Sequence, residues 1–264
     1  MSGRREIKAE VADHCREIDR CNQRGGRMLS ILDLLDAGTL DAETAAFALA
    51  LIRSGGSFLV GAVPGGAGKT TVMGALLNFV PPEIRIEPAD SLPRIRAGLA
   101  RSEPRCYICH EIGPGPYYAY LWDDALRAYF ELPEAGHMLA SNLHADTFDQ
   151  AKNQICGHNH VPEAAFNKLR LLLFLEILSG FHPKRCVSEL WSGDGRHGQA
   201  RVYNRGTWEL PPEEWVDPKA YAQAREILGK LVHSGARTIE QVRAFLLACP
   251  EFLEFPVDRP ALVD

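Results

Sequence analysis

The residues with the clearest chemical potential lie in one run, Gly61-Ala62-Val63-Pro64-Gly65-Gly66-Ala67-Gly68-Lys69-Thr70-Thr71. Its glycines let successive backbone N–H groups converge on one concavity, where they and the start of a following helix can hold phosphate oxygens. Lys69 adds a mobile positive charge, and Thr70 adds a hydroxyl suited to the Mg²⁺ that accompanies a nucleotide. The pattern G-x-x-x-x-G-K-[ST] asks for glycine at position 63, where Val63 stands, a β-branched residue ill suited to a positive φ. Two more candidates are a carboxylate and an imidazole. Glu111 follows the apolar run Cys106-Tyr107-Ile108-Cys109, and His144 lies just past His137-Met138-Leu139-Ala140-Ser141. A carboxylate beside Mg²⁺ and a γ-phosphate can orient an attacking water.

These groups meet only if the elements that carry them share an edge. Residues 57–60 read as a short apolar strand feeding the loop, and 69–79 as the helix leaving it. Further strands are expected at 83–87, 105–111 and 137–141, and helices at 91–101, at 118–132 and from about 147 onward. Such alternation implies an α/β domain with a mostly parallel sheet and helices on both faces. Open sheets of this kind bind ligands at the carboxyl ends of their strands, the edge to which the loop, Glu111 and His144 all belong.

On either side of this core the signals change. Residues 4–23 place Ile7, Val11, Cys15 and Ile18 at helical spacing, ending at Gly25-Gly26, and Asp41 is placed to cap a helix that closes at Gly55-Gly56. Residues 171–178 read as a strand, and 185–191 with 199–203 as a hairpin around Gly193-Asp194-Gly195. After Pro211-Pro212, two helices within 217–247 part at Ser234-Gly235, with Trp208 and Trp215 positioned to fasten them to the main body. The expected division is therefore an N-terminal arm at 1–28, a nucleotide-binding domain at 29–207 and a C-terminal helical tail at 208–264.

A chain of 264 residues with 46% hydrophobic and 24% charged residues has the composition of a soluble globular protein. Its net charge of -5 and pI near 6.0 argue against a dedicated nucleic-acid binder. The N-terminus lacks the apolar core of a signal peptide, and the longest apolar run, 171–175, is too short to cross a bilayer. Seven cysteines without an export signal point to reduced thiols in the cytoplasm, with any membrane contact peripheral. Cys106-Tyr107-Ile108-Cys109-His110 matches the haem-attachment pattern, but that chemistry belongs to exported proteins and the run alternates like a buried strand. Cys156, His158 and His160 can ligate zinc yet lack a second ligand pair at a recognised spacing, which favours a polar loop.

Several stretches together resemble the ATPases of type II and type IV secretion systems, including the motors of pili, conjugation machines and archaeal flagella. Leu32-Asp33-Leu34-Leu35-Asp36-Ala37-Gly38-Thr39-Leu40 is similar to that family's lead-in to its motor domain. Gly66-Ala67-Gly68-Lys69-Thr70-Thr71 is similar to its Walker A loop, Ile108-Cys109-His110-Glu111 to its Walker B strand, and Ser141-Asn142-Leu143-His144-Ala145-Asp146-Thr147 to its His box. Residues 222–247 are similar to the helical tail of archaeal members, and Glu87 stands for the family's acidic box, with Pro88 where an aspartate is expected. Residues 1–28 occupy the place of a larger N-terminal domain. The run His110-Glu111-Ile112-Gly113-Pro114 lacks the glycine before the glutamate and the Arg-Gly pair after it.

The resemblance implies a RecA-like P-loop fold binding ATP and Mg²⁺. Pro64, Gly65, Gly66, Ala67, Gly68, Lys69, Thr70 and Thr71 would hold the nucleotide, and Thr70 and Glu111 the metal. Glu111, His144 and Glu87 would serve catalysis, with Glu111 positioning water and His144 sensing the γ-phosphate. It further implies a cytoplasmic homo-hexamer working with membrane-embedded secretion or pilus components. Nucleotide would lie at subunit interfaces, where an arginine such as Arg96 or Arg101 could reach across. Two other readings stay open: a nucleotide-binding assembly or regulatory subunit with little turnover, and a nucleic-acid motor of the same fold.

Overall fold

The computed structural model describes residues 2–22, 25–63, 65–181 and 183–255. Three helices lead in: α1 (Ser2–Arg20), α2 (Ile31–Asp36) and α3 (Ala42–Arg53). Ser30 and Asp33 close a capping box at the start of α2, and Asp41 caps α3 by accepting the Thr44 N–H at 2.7 Å. The α/β alternation then runs β1 (Ser57–Gly61), α4 (Lys69–Leu77), β2 (Arg85–Pro88), α5 (Leu92–Leu99), β3 (Arg105–Ile112), β4 (Tyr120–Leu121), α6 (Asp123–Glu131) and β5 (Met138–Leu143). It continues through α7 (Phe148–Lys152), a π-helical stretch (Asn153–His158), α8 (Glu163–Phe166) and β6 (Leu169–Leu178). The chain closes with β7 (Lys184–Gly193), β8 (Gln199–Asn204), β9 (Thr207–Trp208), α9 (Pro218–Val232), α10 (Ile239–Ala248) and α11 (Pro250–Leu253).

Among the described residues one sheet takes nine strands, in the order β2-β3-β5-β1-β6-β7-β8-β9 with β4 beside the end of β3. From β2 to β6 every pairing is parallel, and from β6 to β9 every pairing is antiparallel. The fold is therefore α/β with a mostly parallel core, and β5 separates the strand that feeds the glycine-rich loop from the strand that ends in Glu111. That order sets the carboxyl end of β5, and His144 after it, between the other two.

The parallel strands are buried on both sides, as crossover helices require. Phe58, Val60, Cys106, Ile108, Met138 and Ala140 face a layer built by α1, α3, α4, α9 and α10. Leu59, Tyr107, Cys109 and Leu139 face a second layer that contains Ile95, Leu126, Ala151 and Phe166 from the helices between α5 and α8. Trp208 packs edge-on against Phe47 and Tyr203, with ring centroids 5.2 and 5.4 Å apart, and Trp215 packs on the same layer.

One expected helix is corrected. Residues 118–122 are not helical, because Ala119 and Asp123 take φ of 54° and 51° and the short β4 pairs in parallel with Glu111 and Ile112. The helix therefore begins at Asp123. The haem pattern is resolved by strand geometry: three residues apart on a strand, Cys106 and Cys109 point into opposite layers, so no single group can bond both. Among the described residues no three His, Cys, Asp or Glu side chains cluster as metal ligands, and no helix is long and apolar enough to cross a membrane.

Where α4 ends, its unsatisfied carbonyls are buried and need donors. Arg243 of α10, fully buried, donates to Asn78 O at 3.0 Å and Val80 O at 2.7 Å, and holds Glu10 of α1 at 2.5 Å. His14 of α1 meets Leu77 O at 3.0 Å; burial, then the Arg243 charge, lowers its pKa well below the usual value and keeps the ring neutral. Asn78 in turn donates to Ile239 O at 3.1 Å. Arg243→Met, which keeps much of the aliphatic volume, strands two carbonyls and a carboxylate. It should cost roughly 2–4 kcal/mol of unfolding free energy. Urea denaturation checks this, and a loss under about 1 kcal/mol would mean that water replaces the guanidinium.

Candidate functional site

The site is built where β1 turns into α4. Gly61 must be glycine: a Cβ there would stand 2.7 Å from Ala145 O and from the Phe174 ring, so only a bare backbone lets the segment after β5 close over the end of β1. Ala62 then donates to Leu143 O at 3.1 Å, continuing the ladder. Gly66 and Gly68 take φ of 92° and 99°, and Gly68 caps α4. Val63 is not among the residues with positive φ. Its N–H is taken instead by Asp146 Oδ1 at 2.5 Å, which ties the loop to the segment after β5.

Lys69, the first residue of α4, is buried, and its Nζ reaches back across the loop to Ala62 O at 3.1 Å. The same ammonium lies 3.1 Å from His144 Nδ1 and 3.6 Å from Glu111 Oε2, while His144 Nε2 lies 3.7 Å from that carboxylate oxygen. His144 Nδ1 also lies 3.3 Å from Val63 O, so the ring meets both a donor, the Lys69 ammonium, and a carbonyl acceptor. Burial, and then the Lys69 charge, lowers the His144 pKa below the usual imidazole value. Glu111 moves the other way. Burial outweighs the attraction of Lys69 and lifts the carboxyl pKa from 4.5 to about 7.

The loop, Lys69, Thr70, Thr71, Glu111, His144 and Tyr120 line one cleft of about 650 Å³. The geometry thus brings together Gly65, Gly66, Ala67, Gly68, Lys69, Thr70, Thr71, Glu111 and His144. Pro64 lies outside the described residues. Glu87 is not brought there. It pairs in register with Tyr107, four residues before Glu111 and so about 13 Å back along the strand. Its carboxylate is held by Arg101 at 3.0 Å and Arg105 at 3.1 Å. Arg101 is therefore engaged within its own chain, and Arg96 is exposed on α5.

Several site residues carry no local signal in the sequence. Arg185 of β7 reaches across to donate from Nε to Gly66 O at 2.7 Å and lines the cleft beside Lys184. The hairpin was legible, but nothing in its spacing says that its first residues meet the loop. Cys21, Asn22, Gly25, Arg27, Met28 and Leu29 form another wall, where the sequence indicated only the end of a helix. Arg27 is braced there by Asp33, 2.6 Å away, which holds the Asp33 carboxyl at about 2.

The residues fit a nucleotide with Mg²⁺. Left-handed glycines and a helix N-terminus face the cleft beside a buried lysine and the Thr70 side chain, and Glu111 Oε1 is buried without a hydrogen-bond partner. The chain matches no family model and no curated protein. Among solved structures it is similar to the VirB11 ATPase from the Brucella suis type IV secretion system in complex with sulphate. That match has 16% identity and a TM-score of 0.44, over 61% of this chain and 54% of that one. It is also similar to the ATPase DotB of Yersinia pseudotuberculosis, at 13% identity and a TM-score of 0.42, over 83% and 63% of the two chains. DotB of Legionella pneumophila matches at 11% identity and a TM-score of 0.40, over 86% and 61%. The chain thus spans less than two thirds of the length of each. Likeness at this level concerns fold at most, and the chemistry has to be read from the cleft itself.

Glu111 makes a pH-dependent contribution to stability. Because its folded pKa lies above the unfolded value, the folded state binds the proton more tightly; that stability is complete below pH 4.5 and is lost as pH rises through about 7. Glu111→Gln removes the titration. In nucleotide-free, Mg²⁺-free protein the variant should gain roughly 2–3 kcal/mol on wild type between pH 5 and pH 8. Urea titrations at the two pH values measure this, and parallel behaviour of the two proteins would show that the carboxylate is solvated.

Proposed function

We propose that the protein binds ATP with Mg²⁺ and hydrolyses it, as the motor of a secretion or pilus-type assembly. The observation that carries the chemistry is the meeting of Lys69, Glu111 and His144 at the start of α4, from three strands of one sheet. The loop N–H groups and the α4 N-terminus receive phosphate oxygens, and Lys69 supplies the compensating charge. Thr70, with Glu111, would hold Mg²⁺, which when bound neutralises phosphate charge. Glu111, made a stronger base by burial than a free carboxylate is, takes the proton of the attacking water. His144 presents its Nε2 to the same region, 3.7 Å from Glu111 Oε2. The motor role, a homo-hexameric ring and membrane-embedded partners are proposed from the resemblance of the motifs; the chain's own cleft supports nucleotide chemistry.

A second reading has one observation in its favour. A buried carboxyl 3.6 Å from the Lys69 ammonium can serve as a binding group, which suits a nucleotide-binding assembly subunit with little turnover.

Lys69→Ala should raise the calorimetric Kd for Mg²⁺–ATP by roughly tenfold or more, the loss of one charge-assisted phosphate contact. Equal affinity in both proteins would remove the loop from nucleotide binding. In single-turnover assays at high enzyme concentration, Glu111→Gln should lower hydrolysis by roughly 10² with binding preserved, and His144→Ala by less. Equal rates for wild type and Glu111→Gln would exclude Glu111 as the base, and absence of hydrolysis by wild type would favour the assembly subunit.

A further inference from the structure

Glu111 reaches Lys69 only because strand β3 breaks its own alternation. Up to Cys109 the strand is regular, with Cys106, Ile108 and their β5 partners Met138 and Ala140 facing the layer of α4, and Tyr107, Cys109 and Leu139 facing the opposite layer. Continued at period two, Glu111 would face away from α4 and Ile112 toward it. Ile112 instead lies in the same layer as Cys109 and pairs with Leu143, two residues beyond the Ser141 that pairs with Cys109. Two residues of β3, His110 and Glu111, therefore stand opposite the single residue Asn142. This is a β-bulge, and it turns Glu111 toward the face that carries the phosphate loop.

At the bulge, backbone groups of His110 take partners outside the β3–β5 ladder. On one flank His110 N–H donates to Ala119 O at 2.9 Å, beside the pairing of β4 with Glu111 and Ile112. On the other flank the Asn142 Nδ2 donates to His110 O at 2.9 Å. Asn142 is fully buried between β1 and β3, opposite Val60, and its Oδ1 has no partner. An amide kept at a site where apolar strands pack, with one of its atoms unsatisfied, is poorly explained by stability.

Resting on the ATPase reading above, we infer that Asn142 is the positioning residue for Glu111: its side-chain N–H closes the bulge at His110 and so holds the carboxylate on the loop face. The inference makes Asn142 matter to the water-activating step and leaves phosphate binding to the loop.

The test uses Asn142→Leu, nearly isosteric and without the donor, and Asn142→Thr, a β-branched residue that keeps a hydroxyl donor. In a crystal structure of Asn142→Leu the Glu111 carboxylate should leave its contact with Lys69 Nζ. Its kcat should fall roughly tenfold or more with KM within about twofold, and Asn142→Thr should recover part of the loss. Asn142→Leu with Glu111 in place and wild-type kcat would overturn the inference, as would losses of kcat and nucleotide affinity that track thermal stability in both variants. If Asn142→Leu does not fold, Asn142→Thr carries the same two readouts. If wild type hydrolyses nothing, the motor reading fails while the crystallographic comparison still decides the role of Asn142.

Discussion

The carbonyl end of α4 is closed by side chains that arrive from opposite ends of the chain, His14 from α1 and Arg243 from α10. The first turn of that helix offers N–H groups to the cleft, and its last turn would otherwise bury carbonyls with nothing to accept. Both ends are answered in the sense the helix dipole favours, with a place for anions at the start and a guanidinium at the finish. Lys69 owes its fixed origin to this arrangement, since it is the first residue of an element held along its whole length. Much of the remaining architecture can be read outward from α4: β1 delivers the loop, β5 and β3 bring His144 and Glu111 beside it, and the terminal helices cover its far side.

The loop itself departs from the usual glycine pattern without losing its shape. Val63 keeps an ordinary φ, and the left-handed turns are taken by Gly66 and Gly68 further on. Asp146 accepts the Val63 N–H, so one donor of the loop is committed to the protein. The carboxylate of Asp146 thereby couples the loop to the segment carrying His144, two residues earlier in the chain. Arg185 adds a second brace from the antiparallel half of the sheet through Gly66 O. These ties come from residues far apart in sequence, which fits a loop held in place by its neighbours as much as by its own glycines.

The α/β core was legible because crossover strands and helices differ in length, apolarity and punctuation, and β1, α4, β3, β5 and β6 fall within a few residues of their expected places. The Asp41 cap, the hairpin around Gly193-Asp194-Gly195 and the separation of α9 from α10 were equally local signals. What escaped has a common cause. β4 is two residues long and exists through its pairing with the bulged end of β3, so the helix-compatible stretch 118–132 hid it. Glu87 was given a role through likeness, whereas two arginines nearby in space decide where its carboxylate goes. Arg185, Asn142 and the wall that contains Cys21, Asn22, Arg27 and Met28 are defined by register and by long-range docking, about which composition and spacing are silent.

The closure of α4 by Arg243 also has a consequence for synthesis on the ribosome. The loop, the helix and the strands around them are complete in sequence by residue 178, yet Asn78 O and Val80 O have no guanidinium to meet until residue 243 has left the exit tunnel. An emerging chain would hold a nearly finished sheet over an open polar end, with the buried face of α1 and α4 uncovered, for as long as the intervening residues take to be made. Contacts separated by 165 and 163 residues are slow to close by chain diffusion alone. Nascent protein of this kind would present its apolar layer to chaperones late in translation, until α10 emerged to withdraw it.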